Sequence, residues 1–423
     1  MNTLNVWILQ TGEPLHIDKG NPRPMRAMNL ADSLVKAGHK VVLWSAAFNH
    51  QEKQQRRCVK QDIKISSHLE IRLIQSPGYK RNIGVGRILD HVIMAVNLMN
   101  RLNSEKVPPD VAFIGYPPIE VAAVMIHWLA KRSSPCILDI KDQWPILFIN
   151  EFPTILQPLV KILLSPYYYV AKRTMREATG LSSMAESFLL WAISFSGRLP
   201  NKMDRVAALT TPQGLVSIKD LESARRWWDE QGIRSMLEPR ICFIGSHSPA
   251  FDINPIYEAA QYFISKGISC EFVICGGGRS SDEWRNMMNG LPNVIFVGWI
   301  DRAQIESLAE RSTAAIAPYH NFENFIKNIP NKIIDALSLG LPILSPLQGE
   351  VAHLINKYNI GLRYGTDSGK SLFQCIELLI SDASLRNNFS ANALKLYREE
   401  FSYDKVYNGL VKHIEVLSQN KQK

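Results

Sequence analysis

Short apolar runs alternate along this chain with longer stretches whose apolar positions recur at helical spacing, and the pattern appears twice. In the first block residues 6–9 read as a strand, 12–24 as a polar loop, 25–37 as a helix stopped by Gly38, and 41–44 as the next strand. Residues 110–114 and 136–140 supply further short strands. In the second block, strands are predicted at 240–244, 270–275, 294–297, 314–317 and 343–345, with a loop at 245–254 and a helix at 255–266. Strands separated by helices imply parallel sheets covered on both faces. The predicted fold is therefore α/β, two Rossmann-like domains in series with a cleft between them. The pattern breaks at 197–201 and across the polar stretch 217–238, so the boundary is expected near residues 200–240. A last helix is expected over 403–417 after a break at Phe401-Ser402, with a disordered tail over 418–423.

Composition adds compartment and partner. With 423 residues the chain is too long for one ordinary core. Six cysteines, Cys58, Cys136, Cys242, Cys270, Cys275 and Cys375, are scattered without paired metal spacing. That fits a reducing cytoplasm and argues against structural zinc. The amino terminus reads as a first strand and not as a signal peptide, and no uninterrupted apolar run reaches the about 20 residues needed to span a bilayer. Residues 1–210 hold 26 Lys and Arg against 16 Asp and Glu, a net +10, whereas the remainder hold 22 against 23. The basic half is expected to face an anionic partner. Lacking zinc-finger or RNA-recognition signatures and aromatic residues interleaved with basic ones, the chain is expected to meet an anionic membrane surface and not nucleic acid. Residues 87–102 are amphipathic, with Ile88, Ile93, Val96 and Leu98 between basic ends. Residues 155–175 are apolar, interrupted by Pro158 and Pro166, and carry Tyr167-Tyr168-Tyr169 and Lys172-Arg173. Both suit a surface-lying anchor, although core helices carry the same residues.

Candidate chemistry is sought in the loops that follow strands, since open parallel sheets bind ligands beyond their carboxyl ends. The run from Asn331 to Leu344 puts Lys332 and Asp335 at the start of a helix ending at Gly340. Its first turn offers N–H groups and a positive dipole end to a phosphate, Lys332 adds a point charge, and Asp335 can accept from a ribose diol. An ordinary capped amphipathic helix has the same appearance. The 12–24 loop holds Glu13, His16, Asp18, Gly20 and Arg23, with Arg26 entering the helix. These suit an anionic acceptor, unless the loop merely fixes the helix entry through Pro22 and Pro24. Gly276-Gly277-Gly278 follows a strand but lacks dinucleotide-fingerprint spacing. The loop Gly298-Trp299-Ile300 can hold a base against its main chain, unless Trp299 is simply a buried core residue. Asp139 and Asp142 stand beside a strand end, where they can orient an acceptor hydroxyl, act as base, or bond loop amides. Glu350 follows the strand after the Lys332 helix and is expected to face the same cleft.

Taken in order, these residues resemble the family 4 glycosyltransferases, retaining enzymes of the GT-B fold, over almost the whole chain. The resemblance is carried by Gly20 through Arg26, Leu30-Ala31-Asp32-Ser33-Leu34, Gly38-His39-Lys40-Val41, Asp139 to Pro145, Phe243-Ile244-Gly245, Gly298-Trp299, Pro318-Tyr319, and Pro330-Asn331-Lys332 through Pro342. Asp-x-x-Asp-x-Trp-Pro and Pro-Asn-Lys are typical of the branch that builds bacterial surface polysaccharides, including lipopolysaccharide O-antigen and capsule. Two departures stand out. The first of two spaced glutamates common in relatives falls at Lys327 and the second at Asp335, which leaves Glu323 as the candidate for the displaced acid. An Arg/Lys pair after the first donor-domain strand is replaced by Ser246-His247-Ser248.

The resemblance implies an acceptor-binding domain over 1–205, a linker over 206–239, and a nucleotide-sugar domain over 240–400. The segment 401–423 is then a helix packing back towards the first domain, plus a tail. It implies transfer from a UDP- or GDP-sugar to a polyprenyl-diphosphate-linked glycan, at the inner face of the cell membrane, by a cytoplasmic peripheral protein. Lys332, Asp335, Asp142 and Glu323 are the expected catalytic residues. Gly245, Ser246, His247, Gly277, Trp299, Tyr319, Asn331 and Glu350 join Lys332 and Asp335 around the donor, and Glu13, His16, Gly20, Arg23 and Arg26 face the acceptor. No cofactor is implied, and with a lysine and helix dipole at the diphosphate a metal is not expected to be required. Two rivals share the architecture: a nucleotide-sugar 2-epimerase, and a non-catalytic sugar-nucleotide-binding subunit.

Overall fold

A computed structural model describes residues 3–20, 22–56, 62–81, 84–150, 152–211, 214, 216–234, 238–366 and 368–419. Cys58 and residues 420–423 of the expected tail lie outside these. The chain divides into two compact units, Met1–Ala208 with Val406–Lys423, and Leu209–Lys405.

The first unit is built on strands Asn5–Leu9 (β1), Lys40–Ala46 (β2), Phe48–Asn49 (β3), Gln54–Gln55 (β4), Asp62–Lys64 (β5), Leu69–Ile74 (β6), Val111–Tyr116 (β7), Cys136–Ile140 (β8), Gly180–Ser183 (β9) and Arg205–Val206 (β10). Eight of them form one sheet in the order β10-β9-β8-β7-β1-β2-β6-β5, while β3 and β4 pair apart. All neighbours in the large sheet run parallel except β5 on β6. Every residue of β7 and β8 is buried, as strands covered on both faces require. The second unit holds Arg240–Ile244 (β11), Glu271–Cys275 (β12), Val294–Val297 (β13), Ala314–Ile316 (β14), Ile343–Ser345 (β15) and Gly361–Arg363 (β16). They make an all-parallel sheet in the order β13-β12-β11-β14-β15-β16. In each sheet the winding reverses beside its first strand, between β1 and β7 and between β11 and β14. Loops leaving the two strands at such a switch point diverge and open a crevice.

The structure corrects three expectations. Much of the 206–239 linker is folded: helix Ile218–Glu230 belongs to the second unit, with Trp228 fully buried and its Nε1 donating to the Gln304 carbonyl at 2.8 Å. Its two apolar anchors, Ala224 and Trp228, are four residues apart, too sparse a signal beside the surrounding charge. The 155–175 stretch is two helices, Gln157–Leu163 and Ser165–Glu177, because each proline lies in a first turn where its missing N–H is tolerated. Strands β3 to β6, β9, β10 and β16 were not foreseen, and β9, Gly-Leu-Ser-Ser, carries almost no apolar signal. The last helix, Tyr403–Ser418, contributes from Val406 onward to the first unit, where Glu415 meets His39 at 3.1 Å and His413 meets the Met203 carbonyl at 3.0 Å. No helix among the described residues is long and apolar enough to cross a membrane.

Candidate functional site

In the second unit, Gly245, His247, Gly277, Trp299 and Lys332, five of the residues expected around a donor, come together at the end of β11. Helix Asn331–Ser338 begins after Pro330 with no side chain capping it, so its first turn is open to a ligand. From that turn Lys332 reaches across to donate to the Ile244 carbonyl, its ammonium 4.3 Å from the Phe243 ring centroid and 5.1 Å from that of Phe251. Gly245 makes this possible. Its φ of +142° is strained for other residues, and a Cβ there would collide with the Lys332 ammonium. The following turn is stitched to β12: Gly245 N donates to Cys275 O at 3.0 Å and His247 N to Gly277 O at 3.0 Å. Trp299 stands beside this turn, its Nε1 3.1 Å from where a Gly277 Cβ would lie, and 70% of its surface is exposed. The buried-core reading of Trp299 is thereby overturned, since strand β13 ends before the ring can reach the interior.

His247 is almost fully buried, stacked on Trp284 at 4.5 Å, with Nδ1 2.9 Å from Ser281 Oγ. Burial, then the Arg285 and Lys332 charges, lowers its pKa, so it stands as a neutral imidazole among cations. Asn331 and Ser246 are exposed on the same turns, and Asp335 is half-buried one helical turn in. Tyr319 is buried against Phe251 with ring centroids 4.5 Å apart. Glu350 is half-buried in the first turn of helix Gly349–Tyr358. Glu323 is exposed and paired with Lys327 at 2.5 Å on the short helix Glu323–Ile326, so the two residues central to the missing acid bind each other. A cavity of about 260 Å³ opens at the ends of β14, β15 and β16, lined among others by Asp252, Tyr319, His320, Gln348 and Tyr364. Of these only Tyr319 was expected. The others sit in separate loops and share no spacing that a sequence could reveal.

In the first unit the expected acceptor loop is largely committed to the protein itself. Glu13 is buried, accepting from Ala27 N at 2.7 Å and pairing with Lys141. Arg26 is also buried, donating to the Ala207 carbonyl at 2.6 Å with Nε 3.4 Å from Asp139, and Asp139 accepts from Ser182 Oγ at 2.5 Å. These three therefore tie the loop, helix and sheet together, although Arg26 Nε and Nη1 and Asp139 Oδ2 are left without a hydrogen-bond partner. His16 is held on Asp32 at 2.8 Å, and Asp18 on Arg56 at 2.7 Å. Gly20 and Arg23 are exposed. Asp142, by contrast, is only half-buried, and burial pushes its carboxyl up to about 6 against the pull of Arg87 and Lys141.

Beside Asp142 lies a cluster the sequence did not announce. Side chains from after β3 (His50, Lys53), after β6 (Tyr79), after β8 (Trp144) and from helix Val85–Ser104 (Arg87, His91) meet there. Lys53 lies 4.5 Å over the Tyr79 ring, and the Arg87 guanidinium 5.5 Å over Tyr79 and 4.6 Å over Trp144. Basic and aromatic residues are indeed interleaved, but across the fold and not along the chain.

Residues 238–382 match the family model described as glycosyl transferases group 1. No curated protein matches the chain in sequence. Among solved structures, it is similar to sucrose-phosphate synthase from Thermosynechococcus elongatus, with a TM-score of 0.70 at 11% identity over 98% of this chain and 99% of that one. It is also similar to HepE from Anabaena in complex with UDP and glucose, with a TM-score of 0.64 at 12% identity over 98% and 100%. WaaG, a glycosyltransferase involved in lipopolysaccharide biosynthesis, matches with a TM-score of 0.62 at 14% identity over 97% and 99%. The fold is GT-B, and the match to the glycosyl transferases group 1 model lies within its second unit.

Proposed function

We propose that the chain is a retaining glycosyltransferase that moves a sugar from a UDP- or GDP-sugar to a polyprenyl-diphosphate-linked glycan in bacterial surface polysaccharide synthesis. The observation that carries the reading is the Lys332 ammonium lodged in the gap left by Gly245 at the β11 switch point. A diphosphate placed there meets a cation and an uncapped helix N-terminus, both of which gain as charge develops on the leaving group. HepE, a neighbour of the same fold, was solved with UDP and glucose, which supports a nucleotide-sugar donor. The bond between the anomeric carbon and the diphosphate oxygen breaks, and the acceptor oxygen bonds to the same face. The acceptor's proton passes to the departing diphosphate. Trp299 offers a face for the base, Asp335 accepts from the ribose, and Asp142 orients the acceptor hydroxyl.

A membrane-borne acceptor is supported by the first unit's surface. Helix Gln157–Leu163 buries none of its residues, Ile155, Leu159, Ile162 and Leu163 are exposed, Lys161 lies on the same helix, and Lys172 and Arg173 are exposed on the next. An apolar stripe with basic neighbours suits the face of an anionic bilayer.

Labelled UDP- and GDP-sugars incubated with the protein and a membrane extract test the reading. Label entering extractable lipid is the expected result. Label appearing in a new nucleotide sugar would make the protein an epimerase, and binding without turnover would make it a non-catalytic subunit.

A further inference from the structure

The cluster around Tyr79 has a chemistry of its own. Gly78 has a φ of +79° and no Cβ, which lets the chain fold directly over the Phe48 ring and brings Tyr79 against His50. Tyr79 Oη donates to His50 Nδ1, and Lys53 Nζ lies 3.2 Å from the same nitrogen. Two donors on Nδ1 leave the proton of the neutral imidazole on Nε2, as a further donor. Lys53 and Arg87 each sit over the Tyr79 ring, so two cations share one aromatic floor with a histidine between the loops that carry them. Lys80 and Arg81, both exposed, extend the positive field at the rim.

Like charges held this close repel one another, and an anion between them would relieve that repulsion. Burial first, and then Lys53 and Arg87, depress His50 to about 4, and burial followed by Arg87 depresses Lys53. Two acids facing the cluster, Asp90 and Glu120, each hold one hydrogen bond and keep one oxygen that accepts none, and Arg87 acts on Glu120 as well as on Asp142. Asp90 accepts from Gly78 N at 2.6 Å, Glu120 accepts from Tyr167 Oη at 2.9 Å, and His91 lies 3.7 Å from Glu120. Arg87 is foremost among the charges acting on Asp142, ahead of Lys141.

We propose that Lys53, Arg87 and His50 form a phosphoryl-binding site that seats the phosphate of the acceptor, with Tyr79 and Trp144 as its floor. The proposal rests on the glycosyltransferase reading and gives the acceptor its handle. Phosphate oxygens match a guanidinium fork and an ammonium together, and an acceptor gripped there brings its neighbouring hydroxyl towards Asp142. The aromatic series continues from Trp144 to Phe148 at 4.4 Å and on to Tyr167 at 6.4 Å, on helices that flank the exposed apolar helix Gln157–Leu163. A lipid diphosphate could thus lay its chain along apolar surface while its phosphates meet cations. A soluble sugar phosphate would use the cations alone.

Inorganic diphosphate is the first probe, titrated by calorimetry into the full chain carrying Lys332→Ala, which removes the donor-side cation. Binding should persist there and fall at least tenfold on adding Lys53→Met and Arg87→Gln, with circular dichroism confirming the fold. Undiminished binding in that triple variant overturns the site, whether or not the protein is a transferase. In the transfer assay, Lys53→Met or Arg87→Gln should raise the acceptor KM about tenfold and leave the donor KM alone. A soluble farnesyl-diphosphate-linked sugar and a hexose 6-phosphate distinguish the sources: the first is expected to serve and the second not. Equal acceptor KM values for variant and parent with both acceptors would remove the proposal while leaving the transferase reading standing.

Discussion

The two units solve the same problem at their switch points with different materials. At β11 the space is made by backbone: Gly245 leaves a gap, one lysine passes into it, and an uncapped helix faces the same opening. At β1 the corresponding loop is filled, because Glu13, Arg26 and Asp139 spend their charges on each other's helices and strands. A second group of charges, Lys53 and Arg87, meets over Tyr79 beyond β3 and β6. A site that recognises an unvarying diphosphate can be built from main chain, whereas a site for a variable acceptor is built from side chains on loops.

The sharpest way to break this contrast is to test Arg26. As a buried guanidinium serving the sheet, its replacement by Ala leaves Asp139 enclosed without its cation and should cost about 3–5 kcal/mol of stability, read from urea midpoints. A stable Arg26→Ala protein with a selectively raised acceptor KM would return the 12–26 loop to the acceptor and erase the difference between the units. Next in size is Lys332→Ala. Loss of a charge-assisted hydrogen bond to the diphosphate is worth about 1.5–3 kcal/mol, roughly one to two orders of magnitude in kcat/KM. Gly245→Ala should act in the same direction, since its methyl takes the ammonium's place. Normal nucleotide-sugar affinity in both variants would mean the gap serves packing only.

How much of this was legible follows the same contrast. The alternation of apolar strands and helices gave four of the eight strands in the first sheet and five of the six in the second, and the Asn331–Gly340 run gave the lysine, because these signals are contiguous. Gly245 was visible only as part of a motif, and its fit to Lys332 appears once residues 87 positions apart are brought together. The acceptor side is only partly legible for a physical reason: a loop rich in Arg, Asp and Glu looks the same whether its charges face solvent or each other. The cluster of His50, Lys53, Tyr79, Arg87 and Trp144 was hidden because its members come from four segments.

A pH series gives a smaller effect that sharpens the role of Asp142. Its carboxyl, pushed up to about 6 by burial, holds a proton in the folded state where the unfolded chain, at 3.8, has lost it. Its contribution to stability is therefore full below about pH 4 and is lost as pH rises through 6. His50, near 4, and His91, near 3, act oppositely, since unfolding lets them take protons near 6.5, and stability falls with pH below that value. Asp142→Asn should flatten the loss between pH 4 and 7 in urea midpoints and abolish a rise of kcat/KM near pH 6. Retention of that rise in the variant would assign it to another group.

The smallest expected effect concerns Glu323, where the comparison between a built site and a surface is most exposed to error. Its carboxylate is paired with Lys327 four residues on, and both side chains are accessible. A pair of that kind contributes about 0.3–0.5 kcal/mol, so Glu323→Gln should leave stability, donor KM and kcat within about twofold if the residue is only a surface partner. High salt should mimic the substitution, because a Debye length of about 3 Å at 1 M screens an exposed pair. A carboxylate that holds the donor sugar's hydroxyls would behave otherwise: kcat/KM would fall tenfold or more in the variant, and Lys327→Ala, by releasing the acid, would raise activity. That outcome would place a catalytic side chain on the short Glu323–Ile326 helix, and the donor site could no longer be described as mostly backbone and one lysine.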